Sequence, residues 1–156
     1  MRIQIIAVGR KMPTWVEAAC EDYLKRMPRE IDIQITAIAL AQRKAKDSID
    51  SYRRQEAAQI VKKIAPGSFS IALGEQGKQW ASNDWAQHLE HWMQHYPRVN
   101  LIIGGPDGLD DEFRQNCQQT ISLGRMTMPH ALVRVVLVEQ LYRAWSLLKG
   151  HPYHRE

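Results

Sequence analysis

Short apolar runs alternate with amphipathic stretches along the whole chain, and this pattern predicts strands alternating with helices. The runs have the length of buried strands, whereas the longer stretches repeat apolar positions every three or four residues. The predicted strands are Ile3–Val8, Ile31–Ile35, Phe69–Leu73, Val99–Ile103 and Ile121–Met128. The predicted helices are 13–27, 48–65, 82–96 with Ser82 as N-cap, a short one near 110–112, and 131–149. This order indicates an α/β fold, a mostly parallel sheet flanked by helices, in one domain over residues 1–156.

The last predicted helix is apolar on every side. Its large apolar residues are Leu132, Val133, Val135, Val136, Leu137, Val138, Leu141, Tyr142, Trp145, Leu147 and Leu148. Such a helix must be covered on two faces, and a second copy of this short chain is the simplest cover. We therefore expect a homodimer through this helix; the alternative is a central helix buried within one chain. Arg134 lies in the same helix and must pair with a carboxylate, a carbonyl or a ligand if buried.

Composition limits the class of protein. The 156 residues carry a net charge of +4 and two distant cysteines, which argues against a disulfide framework or a zinc ribbon. We see no signal peptide and no membrane span, and expect a cytoplasmic protein without a membrane partner. Residues 1–78 hold 14 Lys and Arg against 9 Asp and Glu. This basic half suits a polyanion such as RNA, although a solvated surface gives the same pattern. The basic segment 41–47 is predicted to be a mobile loop.

Two glycine-rich segments follow predicted strands. Gly104–Gly108 comes after a buried strand, and Gly74–Lys78 is predicted to be a second turn. Ligands of parallel sheets bind beyond the carboxyl ends of the strands, so these turns and the loop 123–129 are candidates for one shared pocket. Three unrelated turns are the alternative. Because neither segment is Gly-x-Gly-x-x-Gly, a standard dinucleotide fold is disfavoured. No metal site is predicted, since the helix carrying His88, His91 and His95 has no carboxylate or cysteine at ligand spacing.

Several motifs together carry a resemblance to a known family. They are Ile102-Ile103-Gly104-Gly105-Pro106-Asp107-Gly108, Thr127-Met128-Pro129-His130, Leu132-Val133-Arg134, Glu139-Gln140-Leu141-Tyr142-Arg143-Ala144-Trp145 and Tyr153-His154-Arg155. In order and spacing the chain resembles the SPOUT-class large-subunit ribosomal RNA pseudouridine N3-methyltransferases over its whole length. The resemblance implies a carboxy-terminal deep trefoil knot (the α/β-knot), bound S-adenosyl-L-methionine and a homodimer through the last helix. It implies as substrate a pseudouridine in 23S ribosomal RNA of the assembled large subunit.

The same resemblance assigns residues to roles. Cofactor binding is implied for Leu73, Gly104, Gly105, Leu123, Gly124, Arg125, Met126, Thr127 and Met128. The residues expected on the substrate side are His130, Arg134 and Tyr153, and the catalytic candidates are His154 and Arg155, with the second subunit as a candidate source of both. The chain departs from the family at Gly74, where aspartate is common, at Gly124, where serine is common, and at Asp107, where glutamate is usual. Because the family holds its cofactor mostly by backbone groups, we expect cofactor binding to survive.

Two other classes of function compete with this interpretation. A non-catalytic RNA-binding module using the basic amino-terminal half predicts RNA binding without cofactor affinity. An ordinary α/β enzyme acting on a small phosphorylated substrate predicts competition by phosphate and a monomeric chain. A cofactor pocket built from both glycine segments distinguishes the methyltransferase from the RNA-binding module.

Overall fold

The computed structural model describes residues 1–154 and contains a five-stranded sheet in which every strand pair is parallel. In chain order the strands are β1 (Arg2–Val8), β2 (Asp32–Ile38), β3 (Phe69–Gln79), β4 (Arg98–Ile103) and β5 (Gln119–Ser122). The helices are α1 (Thr14–Arg26), α2 (Ile49–Val61), α3 (Ser82–His95), α4 (Asp111–Asn116) and α5 (His130–Leu148), followed by a 3₁₀ turn, Pro152–His154. The predicted α/β class and parallel sheet are confirmed.

Two apolar cores lie on opposite faces of the sheet. Alternate side chains of β1 separate them: Ile3 and Ile5 pack with the buried residues of α1, α3 and α5, whereas Ile6 and Val8 pack with those of α2 and α4. Successive side chains of a strand point to opposite faces, which produces this division. The helices therefore cover both faces, and the strands read as continuous apolar runs because they are buried on two sides.

The strand order places the middle of β3 beside the carboxyl ends of β4 and β5. The order is β2-β1-β4-β3-β5, so β3 lies between β4 and β5. Leu73 of β3 is in register with Ile103 of β4 and with Ile121 of β5. The segments that follow β4 and β5 consequently lie on either side of β3, although the three are far apart in sequence.

The predicted turn at Gly74–Lys78 is wrong. β3 continues to Gln79, and its register with β5 shifts between Leu73 and Lys78, which forms a bulge. A Cβ atom at Gly77 would overlap the backbone of Ile121. This glycine is therefore needed where two backbones approach closely, not where the chain reverses.

Other element boundaries also differ from the prediction. β5 is Gln119–Ser122, so most of the predicted strand Ile121–Met128 is a loop. Ser82 is the first residue of α3 and not its N-cap: Asp84 accepts a hydrogen bond from the backbone N–H of Ala81 at 2.8 Å. The Ser82 hydroxyl instead donates to Gln140 Oε1 at 2.8 Å, which ties α3 to α5. The basic segment 41–47 lies outside the regular elements, as predicted, but it is held by contacts described below.

The last helix, α5, is largely buried within one chain. Seven of its 19 residues are buried and the others are partly buried, so none is fully exposed. The partly buried residues include the apolar side chains of Leu132, Val136 and Leu147. One chain thus covers most of this helix and leaves a part-covered apolar strip.

The three histidines of α3 stack on neighbouring rings. On α3 the ring of His88 stacks on Trp80 with 3.9 Å between centroids, and His91 and His95 stack on each other at 4.2 Å. Residues 1–154 contain no group of three or more His, Cys, Asp or Glu side chains that could hold a metal ion. Over the same residues, no helix has both the length and the apolar character to cross a membrane.

Candidate functional site

A cleft of about 660 Å³ opens where the segments after β4 and β5 leave the sheet, on either side of residues 73–76 of β3. This volume lies in the ordinary range for a small-molecule site. The predicted site residues that line it are Leu73, Gly104, Gly105, Leu123, Gly124, Met126, Thr127, Met128 and His130. The structure therefore brings together three segments of the chain at one cleft. Arg125 belongs to the same loop but is exposed and does not line the cleft.

The glycine turn after β4 is folded closely on itself. A Cβ atom at Gly104 would lie 2.8 Å from the carbonyl carbon of Gly108 and 3.0 Å from the backbone nitrogen of Leu109. The backbone N–H of Gly108 donates to the Gly105 carbonyl at 3.0 Å, and Gly108 has a φ of +79°. Without side chains at these positions, the main chain itself forms this wall of the cleft.

The loop after β5 forms the opposite wall. The Ser122 hydroxyl donates to the Gly124 carbonyl at 2.9 Å and accepts from its N–H at 3.2 Å, which holds Gly124 at a φ of +143°. Serine side chains commonly stabilise turns in this way. Met126 lies at the rim with 81% of its surface exposed. The loop ends at Pro129, whose carbonyl accepts the N–H of Val133 in the first turn of α5.

Two arginines that the sequence interpretation did not single out also line the cleft. Arg53 donates from Nε to the Asp107 carbonyl at 2.6 Å. Arg114 has its Nη2 atom 3.3 Å from Asp111 Oδ1, and its buried Nε atom has no hydrogen-bond partner within residues 1–154. In the sequence, Arg53 is one of the 14 Lys and Arg residues of the basic amino-terminal half. Nothing local in the sequence indicates that it faces Asp107.

A buried carboxylate lies behind the glycine turn. Glu56 is 3% exposed, and its Oε1 atom accepts the N–H of Ala41 at 3.2 Å. Burial raises the pKa of this carboxyl group, and the charge of Asp107 acts in the same direction. The Ala41 N–H and the charge of Arg43 oppose this rise in pKa but are weaker than the effect of burial. The folded protein thus holds a proton on Glu56 more tightly than the unfolded chain does.

This raised pKa leads to a prediction on stability. The stability contributed by Glu56 is fully present below its unfolded pKa of about 4.3 and is lost as pH rises through its folded pKa. We expect Glu56→Gln, which stays neutral, to give a higher free energy of unfolding than wild type at pH 7 and a smaller difference at pH 4. Urea unfolding at both pH values measures it, with the exposed Glu90→Gln as control. A variant less stable than wild type at pH 7 would contradict the prediction.

Arg134 lies beneath β1 and not in the cleft. Its Nη2 atom donates to the Gly9 carbonyl at 2.5 Å and to the Val8 carbonyl at 3.3 Å, and the residue is 4% exposed. Carbonyl oxygens are therefore the partners expected of this buried guanidinium, whose pKa burial lowers. A Cβ atom at Gly9 would lie 3.5 Å from Arg134 Nη2 and 3.7 Å from His130 Nε2. Arg134 is thus next to a cleft residue without lining the cleft.

Removing this guanidinium is expected to destabilise the fold. Arg134→Met removes the guanidinium that donates to two carbonyls, and we expect a loss of about 2 to 4 kcal/mol in the free energy of unfolding. Urea unfolding followed by circular dichroism measures it. Arg125→Met, at an exposed position, should change stability by less than about 0.5 kcal/mol. Equal stabilities of the two variants would mean that the contacts to β1 contribute nothing.

The carboxy-terminal tail lies against α1 and α5. Gly150, with a φ of +64°, ends α5 and redirects the chain. The Tyr153 hydroxyl donates to Glu139 Oε1 at 2.9 Å, and burial raises the pKa of this phenol. The Nδ1 atom of His154 is buried and has no hydrogen-bond partner among the described residues. Neither Tyr153 nor His154 lines the cleft of its own chain, and Arg155 lies outside the residues that the structure describes.

A parallel sheet with a cleft at the carboxyl ends of two strands, β4 and β5, is typical of α/β proteins that bind small molecules. The chain matches the family model described as predicted SPOUT methyltransferase over residues 1–154, and it belongs to that family.

Its curated relatives are similar over their full length. A protein of Hahella chejuensis named Ribosomal RNA large subunit methyltransferase H is 45% identical, and the alignment covers all of both chains. Proteins of the same name from Polaromonas naphthalenivorans and Ectopseudomonas mendocina are 44% and 42% identical, over 100% and 99% of this chain and all of each relative. These similarities support a ribosomal RNA methyltransferase.

Proposed function

We propose that this protein transfers a methyl group from S-adenosyl-L-methionine to N3 of a pseudouridine in 23S ribosomal RNA of the large subunit. The observation that carries the proposal is the cleft between β3 and the ends of β4 and β5, which is lined by eight of the nine residues assigned to the cofactor, all but Arg125. The general activity, methylation of ribosomal RNA, agrees with the family and with the names of the relatives. The proposal goes further in two respects: it names N3 of a pseudouridine as the methylated atom, and it names the assembled ribosome as the substrate.

The cleft suits S-adenosylmethionine by its size and by its wall. About 660 Å³ accommodates a ligand of this size, and the turn at Gly104 exposes main-chain groups because no Cβ fits there. Leu73 and Leu123 supply apolar surface to the cleft. We assign Leu73, Gly104, Gly105 and the loop 123–128 to the cofactor.

When bound, S-adenosylmethionine supplies an electrophilic methyl group. The protein has to hold the uracil ring in line with that group, exclude water and accept the proton of N3. A base or a cation near N3 serves the last purpose, because the ring nitrogen reacts as its anion. We assign this role to His154 and Arg155, and the side of the site that faces RNA to His130 and to Tyr153 of a second copy. Arg134, which was expected on the substrate side, is buried against the carbonyls of Val8 and Gly9 and supports the fold.

A second copy of the chain would complete this site. Tyr153 and His154 lie beside α5, away from the cleft of the same chain, and α5 carries a part-covered apolar strip of Leu132, Val136 and Leu147. Packing two copies through this strip would cover it and bring one tail towards the other cleft. We therefore propose a homodimer through α5, with the deep trefoil knot of the family, acting on ribosomes in the cytoplasm.

Nucleoside analysis tests which atom is methylated and whether an assembled subunit is required. Ribosomes and free 23S RNA from a strain lacking the gene are each incubated with the protein and S-adenosylmethionine carrying a deuterated methyl group. We expect mass spectrometry of the digested RNA to show labelled N3-methylpseudouridine from ribosomes. Label in another nucleoside would contradict the target, and equal labelling of free RNA would contradict the need for an assembled subunit. RNA binding without affinity for S-adenosylhomocysteine would favour the non-catalytic module.

A further inference from the structure

The loop between β2 and α2, residues 39–48, lies against the back of the glycine turn. A Cβ atom at Gly105 would be 3.4 Å from Leu40 Cδ1 and 3.5 Å from Glu56 Oε2. The turn that lines the cleft thus has the loop and α2 directly behind it. A change in the position of the loop would therefore change the position of the turn that forms the cleft wall.

Arg43 is the side chain that links this loop to the turn. Its Nη1 atom forms an ion pair with Asp107 of the turn, and its Nη2 atom lies 3.8 Å from Glu56 Oε1. The guanidinium also lies over the ring of Tyr52, 4.3 Å from its centroid. An exposed ion pair alone contributes little, but a planar cation held by two carboxylates and a ring has a defined position.

The main chain of the loop is fixed on the same side. The Tyr52 hydroxyl donates to the Lys44 carbonyl at 2.7 Å and accepts the Lys44 N–H at 2.9 Å. Asp107 is held a second time through its own carbonyl, which accepts from Arg53 Nε at 2.6 Å. The loop, α2 and the turn therefore form one connected unit.

Two cations of this loop have no carboxylate partner among the described residues. Lys44 and Lys46 are exposed, and neither forms an ion pair within residues 1–154. Arg43, between the loop and the turn, is by contrast engaged by Asp107. Unpaired lysines on a fixed main chain are the kind of group that binds RNA phosphates without reading sequence.

We propose that Lys44 and Lys46 bind the phosphate backbone of the RNA substrate, and that Arg43 couples this contact to the cofactor turn through Asp107. This inference rests on the proposed function. RNA on the lysines favours one position of this connected unit, and Arg43 carries that preference to the turn, so the turn is held in the position that binds the cofactor. By linkage the cofactor raises RNA affinity by the same factor. Arg43 is a positioning residue, since it acts on the cofactor only through Asp107.

The coupling is measured with radiolabelled S-adenosylhomocysteine. Its Kd is determined by equilibrium dialysis with and without saturating ribosomes from a strain lacking the gene. For the wild type we expect binding about 10-fold tighter with ribosomes, within the usual range of coupling between sites. For Arg43→Met we expect the Kd without ribosomes to stay within about threefold of wild type while the ribosome effect disappears. Arg43→Lys, which keeps a cation for Asp107, should restore part of the effect.

The phosphate contact is measured by ribosome affinity at several salt concentrations. Replacing Lys44 and Lys46 together by alanine should lower affinity and make the salt slope less negative by about 1 to 2. The matched control replaces Lys62 and Lys63, two exposed lysines at the far end of α2, and should leave both quantities near wild type.

Different results would overturn the phosphate contact, the role of Arg43 and the proposed function. Equal effects of the two lysine pairs would overturn the phosphate contact, and an Arg43→Met protein with wild-type coupling would overturn the role of Arg43. If Arg43→Met does not fold, the wild-type protein alone still tests the coupling. A wild-type Kd for S-adenosylhomocysteine that is the same with and without ribosomes would overturn the role of Arg43 as well. A wild-type protein that does not bind S-adenosylhomocysteine at all would overturn the proposed function itself.

Discussion

Gly104→Ala is expected to abolish cofactor binding and methyl transfer while leaving the fold intact. The new Cβ would lie 2.8 Å from the Gly108 carbonyl carbon and 3.0 Å from the Leu109 nitrogen. Both are backbone atoms, which cannot rotate away as a side-chain end can, so the turn has to open. We expect affinity for S-adenosylhomocysteine to fall by about 100-fold or more, because cofactor contacts depend on the position of this backbone.

Calorimetric titration with S-adenosylhomocysteine measures this effect, and far-ultraviolet circular dichroism checks the fold. The matched control is Gly67→Ala. Gly67 has a φ of +76°, but a Cβ atom added there would meet no heavy atom within 4 Å, and the residue does not line the cleft. That variant should lose about 1 kcal/mol of stability and keep its cofactor affinity. A folded Gly104→Ala protein with affinity within about threefold of wild type would contradict a main-chain cofactor site.

Removing residues 151–156 is expected to have the second large effect. If His154 and Arg155 assist loss of the N3 proton, methyl transfer should fall about 100-fold or more, the usual contribution of a general acid or base. Affinity for S-adenosylhomocysteine should change by less than about threefold, because the proposal assigns the tail to the RNA base and not to the cofactor. Single-turnover methylation of ribosomes measures the first quantity and calorimetry the second.

Tyr153→Phe is the control for this truncation. It removes only the hydroxyl that donates to Glu139 and contacts Tyr23, and it leaves the imidazole and the guanidinium in place. We expect it to cost stability through these lost contacts and to change the rate by much less than the truncation does. A truncated protein that binds cofactor and methylates at the wild-type rate would exclude the tail from catalysis.

The sheet was predictable because parallel strands buried on both faces are continuous apolar runs. The same rule caused the error after β5. Leu123, Met126 and Met128 extend the apolar run of the strand, but their side chains line or border a cleft and do not enter the sheet. Gly77 contributed to the second error, since a glycine needed for the close approach of two strands looks the same in sequence as a glycine in a turn.

The candidate cleft was only partly predictable. The turn after β4 and the loop after β5 follow strands, and the rule that ligands bind beyond the carboxyl ends of parallel strands points to them. The strand order that makes β4, β3 and β5 neighbours has no local signal in the sequence. Contacts between distant residues have none either: Arg43 pairs with Asp107, and Arg134 bonds to the carbonyl of Gly9, 125 residues away. Such pairs are set by the packing of whole elements.

Transfer of label to ribosomal RNA is the decisive test of the proposed methyltransferase activity. Purified protein, S-adenosylmethionine with a radiolabelled methyl group and ribosomes from a strain lacking the gene are incubated together, and label is counted in the separated RNAs. We expect label in large-subunit RNA with the wild-type protein and none with Gly104→Ala. Absence of label with a wild-type protein that binds S-adenosylhomocysteine would contradict the proposed substrate, and absence of both would contradict the methyltransferase assignment of the cleft.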